Sequence, residues 1–192
     1  MSDTLKRCRW AENQFDQYVQ YHDEEWGVPV HDDQKLFEFI VLESAQAGLS
    51  WATILKKREG YRQAFADFDP KVVAAFPEGM IETLLEDSAI IRNRAKISAT
   101  IHNANCFLKV QDEFGSFDSY VWQFVNGSPK VNKWKSTEEV PVTTPESDRL
   151  SKDLKKRGFK FLGSTTVYAF MQAIGMVNDH TIDCFRHQQL SE

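Results

Sequence analysis

Two cysteine–histidine pairs stand at opposite ends of this 192-residue chain: Cys8 and His22 with thirteen residues between them, and His180 and Cys184 four apart. Two thiolates and two imidazoles are the donor chemistry of tetrahedral Zn²⁺. Four protein ligands would leave no open position, so one such ion would be structural and would fasten the N-terminal segment to the C-terminal one. The four-residue step predicts that His180 and Cys184 share one face of a helical turn. Spacing alone leaves the alternative open, scattered cysteines and surface histidines, because no short Cys-x2-Cys pair is present and His187 is a competing ligand. His31, His102 and Cys106 read as ordinary structural or surface residues.

Glu43 interrupts a helical stretch that is otherwise apolar almost all round, with Leu36, Phe37, Phe39, Ile40, Val41 and Leu42. A carboxylate there is costly unless it is paired or does chemistry, and a buried salt bridge is the alternative. Aromatic residues gather near it in sequence: Trp51 follows, and Trp10, Tyr21 and Trp26 precede. Aromatics with one acceptor suit a flat, cationic, hydrogen-bond-donating ligand, although each ring taken singly reads equally well as core.

A third constellation is Arg157-Gly158-Phe159-Lys160-Phe161-Leu162-Gly163-Ser164-Thr165. Two glycines bracket a short apolar insert, and the second opens a helix whose first turn is Ser-Thr-Thr. Glycine permits close approach of a phosphate, and a helix start offers free N–H groups and positive dipole. Lys152, Lys155, Lys156, Arg157 and Lys160 add charge within nine residues, opposed by Asp153. This is the logic of a helix-hairpin-helix element, about residues 145–175, that holds a DNA phosphate without reading sequence. The alternative is an ordinary helix–helix turn packed by Phe159, Phe161 and Leu162.

The elements that must position these residues are helical nearly throughout. Asp32 or Asp33 can cap a buried central helix reaching Gly48, and Ser50 can cap the next, about 51–65. Pro70 suits the first turn of a helix over 71–76. Further helices are predicted over 78–86, 92–111 and 117–125. Residues 126–144, with Gly127, Pro129 and Pro141, read as an extended loop. Thr144-Pro145-Glu146 starts a helix that ends at Arg157-Gly158, and the last runs from Ser164 to Ile174-Gly175. The fold class is all-α, a single domain over 1–192 with two helical lobes.

Composition sets limits on function. The chain is 42% hydrophobic and 27% charged, ordinary for a globular domain, and no apolar run is long enough to span a bilayer. Residues 1–10 are polar and lack a signal-peptide core, so an intracellular, cytoplasmic protein is expected. Three cysteines are too few and too scattered for a disulfide framework. The net charge of -5 weighs against nucleic acid as a partner, but binding depends on local patches.

Taken over nearly its full length, from about Arg7 to Cys184, the sequence resembles the 3-methyladenine DNA glycosylase I family. The stretches that carry the resemblance are Arg7-Cys8-Arg9-Trp10, Tyr21-His22-Asp23-Glu24-Glu25-Trp26-Gly27-Val28-Pro29, Leu42-Glu43, and Gln46-Ala47-Gly48-Leu49-Ser50-Trp51. They continue with Ile54-Leu55-Lys56-Lys57-Arg58, Ile90-Ile91-Arg92, Phe124-Val125-Asn126, residues 154–163 and Val177-Asn178-Asp179-His180. The resemblance implies a helix-hairpin-helix glycosylase fold and Cys8, His22, His180 and Cys184 as zinc ligands. It implies that Glu43, Tyr21 and Trp51 contact the damaged base, with Trp26 and Trp10 beside them. It also implies DNA contacts at Gly158, Lys160, Gly163, Ser164 and Thr165, and at the turn carrying Gly48 and Leu49, where Leu49 would fill the space left by a flipped base. The partner would be double-stranded DNA containing 3-methyladenine, and the protein a monomer. The wider superfamily carries an aspartate some twenty residues beyond the hairpin. Asp179 stands only sixteen beyond Gly163 and beside a zinc ligand, which argues against that role. No lysine is placed for Schiff-base chemistry, so a monofunctional hydrolase is expected.

Overall fold

The computed structural model describes residues 5–191; residues 1–4 and 192 of the expected domain lie outside the described residues. The first helix, α1 (Asp16–Glu24), was not expected from the sequence. Its N-cap is Phe15, which offers no side-chain acceptor, and only Tyr21 and His22 of its residues are buried. It exists because those two are drawn inward.

The next helices begin where the sequence supplies caps. Asp32 accepts from the Lys35 amide to start α2 (Asp33–Gln46), and Ser50 accepts from the Thr53 amide to start α3 (Trp51–Ala64). Asp69 and Pro70 start α4 (Pro70–Ala74), followed by α5 (Met80–Glu86). Asn93 caps α6 (Arg94–Phe114), and Ser116 caps α7 (Phe117–Val121). Asp33 has a second duty: its carboxylate accepts from the Phe117 and Asp118 amides, both at 2.8 Å, so it anchors the start of α7. Thr144 and Ser147 form a reciprocal cap for α8 (Pro145–Lys156), and α9 (Ser164–Ala173) follows the turn at 157–163.

The architecture is helical except for one parallel pair. β1 (Lys130–Val131) lies beside β2 (Val177–Asn178), Lys130 facing Val177 and Val131 facing Asn178. The all-α expectation missed this pair because two residues carry no period. A final short helix, α10 (Phe185–Gln189), was also unforeseen. α2 is the axis of the domain. Leu36 to Ala45 are buried without interruption, and α3, α6, α7 and α9 pack around them.

The segment that follows α1 is clamped to the end of α9. Gly27 N–H donates to Gln172 C=O and Val30 N–H to Ile174 C=O, both at 3.0 Å. Gly175 allows this approach: its φ is +73°, and a Cβ there would lie 2.4 Å from the Val28 carbonyl carbon and the Pro29 nitrogen. Gly175→Ala is therefore expected to destabilise the domain by about 3 kcal/mol, through overpacking against backbone and strain at positive φ. A denaturant midpoint that falls at unchanged m would bear this out, and an unmoved midpoint would contradict it.

Candidate functional site

The four expected metal ligands converge. The donor atoms of Cys8, His22, His180 and Cys184 lie within 4.8 Å of one another, and all four residues are buried. Cys8 Sγ stands 3.5 Å from His180 Nδ1, Cys184 Sγ 3.5 Å from the same nitrogen, and Cys184 Sγ 3.6 Å from His22 Nε2. A tetrahedral ion with ordinary Zn–S and Zn–N bonds has S···N edges of about 3.6 Å, so the cluster fits such an ion. The outer nitrogens complete the fit. His22 Nδ1 donates to Asp23 (2.7 Å), which Arg7 grips through two nitrogens, and His180 Nε2 donates to the Trp26 carbonyl (3.0 Å). Each of these bonds fixes the tautomer that aims a lone pair at the centre. The closeness of the two sulfurs raises the pKa of Cys8 and lowers that of Cys184, because one proton is shared between them. The expected helical turn is absent here. The chain leaves β2, and Cys184 N–H closes a tight turn onto Thr181 C=O (2.8 Å), which brings the two ligands together by another route.

Against this cluster lies a cavity of about 290 Å³, small for a ligand site and mostly aromatic, lined by Trp10, Tyr18, Tyr21, Trp26 and Trp51. Trp26 packs edge-on to His180 (4.6 Å between centroids), Trp10 to His22 (5.0 Å), and the two indoles meet each other at 4.8 Å. The metal ligands are thus the outer layer of the cavity wall. Tyr21 and Trp51 form a tilted pair at 5.2 Å on the other side. The end of α1, with Tyr21, and the turn after it, with Trp26, are held by Arg58, whose guanidinium makes two bonds to Glu25 (2.8 and 2.7 Å) and one to the buried Glu38 (2.8 Å).

Glu43 of α2 faces this cavity and is 4% exposed. No hydrogen bond or ion pair reaches its carboxylate among the described residues. Burial alone pushes its pKa up to about 8. The second acid in the cavity, Asp179, is the opposite case. It accepts from Tyr168 Oη, Gln172 Nε2 (2.9 Å), Asn132 Nδ2 (2.7 Å) and Trp134 Nε1 (2.7 Å). Four donors saturate a carboxylate, so Asp179 fastens α9 to the 132–134 segment that follows β1.

Two surface turns carry the residues expected at the DNA. The turn after α2 carries Gly48 at φ +78° and Leu49, 39% exposed, and Lys96 braces it by donating to the Ala45 and Ala47 carbonyls. The turn between α8 and α9 is fixed on α6 by Asn103, which bonds both N–H (2.8 Å) and C=O (2.9 Å) of Lys160. Gly158 (φ +95°), Lys160, Gly163 and Thr165 are exposed, while Phe159 and Leu162 are buried. Gly163 caps α9 with no side chain, leaving the first N–H groups of that helix open. Ser164 differs from expectation: its hydroxyl is engaged by Asp148 and Ser147. Arg157 also leaves the basic patch. It pairs with Glu113 and Asp153 and stacks on Phe114 and Tyr120.

The sequence profile of the methyladenine glycosylase family matches residues 10–187. DNA-3-methyladenine glycosylase 1 of Escherichia coli strain K12 is 52% identical over 180 residues, 94% of this chain and 96% of its own. The chain belongs to the 3-methyladenine DNA glycosylase I family. It is accordingly an enzyme that hydrolyses N-glycosyl bonds. A crystal structure of 3-methyladenine DNA glycosylase I, 52% identical, superposes with TM-score 0.91 over 94% of this chain and 98% of that one. The structure from Staphylococcus aureus that describes 3-methyladenine recognition is 39% identical, with TM-score 0.90 over 94% and 96%.

In this glycosylase the fold gathers Glu43, Tyr21, Trp26, Trp51 and Trp10 around one cavity. The sequence reading missed Tyr18, Gln172, Thr137, Val140 and Thr181, which line it as well. Tyr18 lies on the unforeseen α1, and Thr137 and Val140 on the irregular 126–144 segment, where no periodic signal exists to find them.

The state of Glu43 has a measurable consequence. Unfolded, it titrates near 4.5, and folded near 8. Between those values the folded protein keeps a proton that the unfolded chain has lost, so this contribution is whole below about pH 4.5 and is lost as pH rises toward 8. The Tm of the wild type, measured relative to Glu43→Gln, is expected to fall across that window. Parallel Tm profiles would contradict a buried, unpaired carboxyl.

Proposed function

We propose that this protein binds double-stranded DNA, flips a 3-methyladenine nucleotide into the aromatic cavity and hydrolyses its glycosidic bond without lyase chemistry. The observation that carries the reading is Glu43, a buried acid without a partner in an aromatic cavity. Such a group favours a flat cation that can donate a hydrogen bond. Methylation at N3 makes the nucleobase that cation. The incoming charge draws Glu43 to its carboxylate, which accepts from the exocyclic amino group, while Trp51 and Tyr21 offer faces for stacking and Trp26 and Trp10 close the far wall.

The leaving group needs little help, because the bond between the sugar carbon and the base nitrogen breaks with its electron pair going to the cationic ring, and the base departs neutral. A water oxygen bonds to the sugar carbon and its proton passes to solvent. Normal adenine, uncharged, is a poor leaving group and a poor partner for Glu43. Asp179, saturated by donors, takes no part as a base.

Cys8, His22, His180 and Cys184 would hold one structural Zn²⁺, which as a closed four-ligand site supplies rigidity and no Lewis-acid chemistry. The α8–turn–α9 unit is read as a helix-hairpin-helix element. Gly158, Lys160, Gly163 and Thr165 would meet a phosphate, with Ser164 contributing its backbone N–H. Leu49, beside Gly48, would fill the gap left in the duplex. A single monomeric domain acting in the cytoplasm suits this assignment.

Free 3-methyladenine tests the reading directly. The free base is neutral, but it is a stronger base than adenine, and the proton that Glu43 carries at neutral pH restores its charge on binding; saturable quenching of the tryptophan fluorescence of the folded protein is therefore expected, with adenine far weaker. Equal quenching by both bases, or none by either, would contradict it.

A further inference from the structure

The turn 47–50 joins Gln46, the last residue of α2, to Trp51, the first of α3, and both of these line the cavity. Its tip is bare. Residues 47–50 are all exposed, and a Cβ on Gly48 would meet nothing within 4 Å, so packing does not hold the tip in place. Inside the turn, Leu49 N–H donates to Gln46 C=O (2.6 Å), while the Ser50 side chain turns away to cap α3. With these bonds alone the turn would be free to tilt on the end of α2.

Lys96 prevents this. Its ammonium reaches from α6 to the Ala45 carbonyl (2.7 Å) and the Ala47 carbonyl (2.6 Å). Among the described residues it is the one partner from another element that hydrogen-bonds residues 45–50. Burial lowers its pKa, and no carboxylate offsets that. The last carbonyls of a helix lack partners within it and carry the negative end of its dipole, so a cation is the group that suits them. Two turns further along the same face of α6, Asn103 bonds the N–H and C=O of Lys160, and His102 beside it donates to the Gly158 carbonyl (2.8 Å). One helix therefore anchors both turns proposed to meet DNA, at points about 10 Å apart along its axis.

We propose that Lys96 is a positioning residue for base excision that acts through Leu49: it fixes the turn on α6 so that Leu49 enters the duplex while the α8–α9 turn holds the phosphate. The inference rests on the assignment of Leu49 to the gap left by the flipped nucleotide. A wedge already in place helps the nucleotide out of the stack. A turn that must first be ordered on the DNA loses part of its binding energy to that ordering.

Lys96→Met keeps the reach of the side chain and removes the ammonium, whereas Lys96→Arg keeps a charged donor for both carbonyls. Release of 3-methyladenine from methylated duplex DNA is expected to fall about tenfold in Lys96→Met and to stay within about threefold of the wild type in Lys96→Arg. Affinity for the free base, read by tryptophan fluorescence, is expected to be unchanged in Lys96→Met, because Gln46 and Trp51 remain on their helices. In a Leu49→Ala background, Lys96→Met is expected to cost less than about twofold more, since the group it positions is gone. Full activity of Lys96→Met overturns the proposal. So does an equal fall in free-base affinity, which would make Lys96 a support of the cavity. A full tenfold further loss in the Leu49→Ala background, with a shallower salt dependence of DNA binding, overturns it too and makes Lys96 a phosphate contact. Wild-type activity in Leu49→Ala overturns the Leu49 assignment and this inference with it, whereas no release of base by the wild type overturns the glycosylase reading itself.

Discussion

Glu43→Gln is expected to lose about a hundredfold or more in the release of 3-methyladenine from DNA while the protein stays folded. The substitution keeps size and hydrogen-bonding capacity but removes the negative charge that a cationic base calls up. Because no hydrogen bond or ion pair among the described residues reaches Glu43, no contact of the fold is broken by the change. The variant is expected to match the wild type in Tm near pH 5 and to exceed it near pH 8, where the wild type must hold a buried carboxylate. A loss of activity accompanied by a loss of Tm would mean that Glu43 supports the fold and not the chemistry. Most of the loss is expected in kcat if the charge matters as the bond breaks, and in KM if it serves only to seat the base.

The second large effect concerns the Cys2His2 cluster. Cys184→Ser, or removal of bound metal by a chelator, is expected to lower Tm by about 10 °C. A structural ion worth about 4 kcal/mol corresponds to a shift of that size in a domain of this length. The consequence should reach beyond stability. Trp10 and Trp26 pack on His22 and His180, and His180 bonds to the Trp26 carbonyl, so the cavity wall rests on the ligands. Loss of the metal is therefore expected to change near-ultraviolet circular dichroism and to abolish quenching by 3-methyladenine at temperatures where the helices remain intact. Retention of full base affinity after complete metal loss would show that the cluster is a fastener of the chain ends and nothing more.

The parts of this fold that were legible in the sequence are those fixed by local chemistry. Asp32 or Asp33, Ser50, Pro70, and Thr144 with Pro145 each announced a helix start, and a helix begins at each in the structure, with Asp32 as the cap of the first and Asp69 as the unforeseen cap before Pro70. The apolar residues before Glu43, Leu36, Phe37 and Phe39 to Leu42, announced the buried axis. What local reading could not supply is whatever depends on distant partners. α1 has no cap and forms because Tyr21 and His22 are buried by other elements. The turn joining His180 to Cys184 looks helical by spacing, yet β2 and the Asp179 contacts hold the preceding chain extended. Arg157 counts as one more cation in a basic run until Glu113, on another helix, is seen to neutralise it. Asp179 was set aside as a catalytic aspartate on spacing alone, and the four donors that gather on its carboxylate come from residues far apart in the chain. The aromatic cavity lies between these cases. Its rings were picked out by composition and by resemblance, whereas the Thr137 wall comes from a segment with no pattern at all.

The most direct test is the release of free bases from methylated duplex DNA, separated by chromatography. The wild-type, metal-loaded protein is expected to liberate 3-methyladenine and to leave 7-methylguanine in place. Guanine presents a carbonyl acceptor toward Glu43 where adenine presents a donor, so its cationic form gains no such contact. No release of any base by folded, metal-loaded protein, or equal release of both, would contradict it.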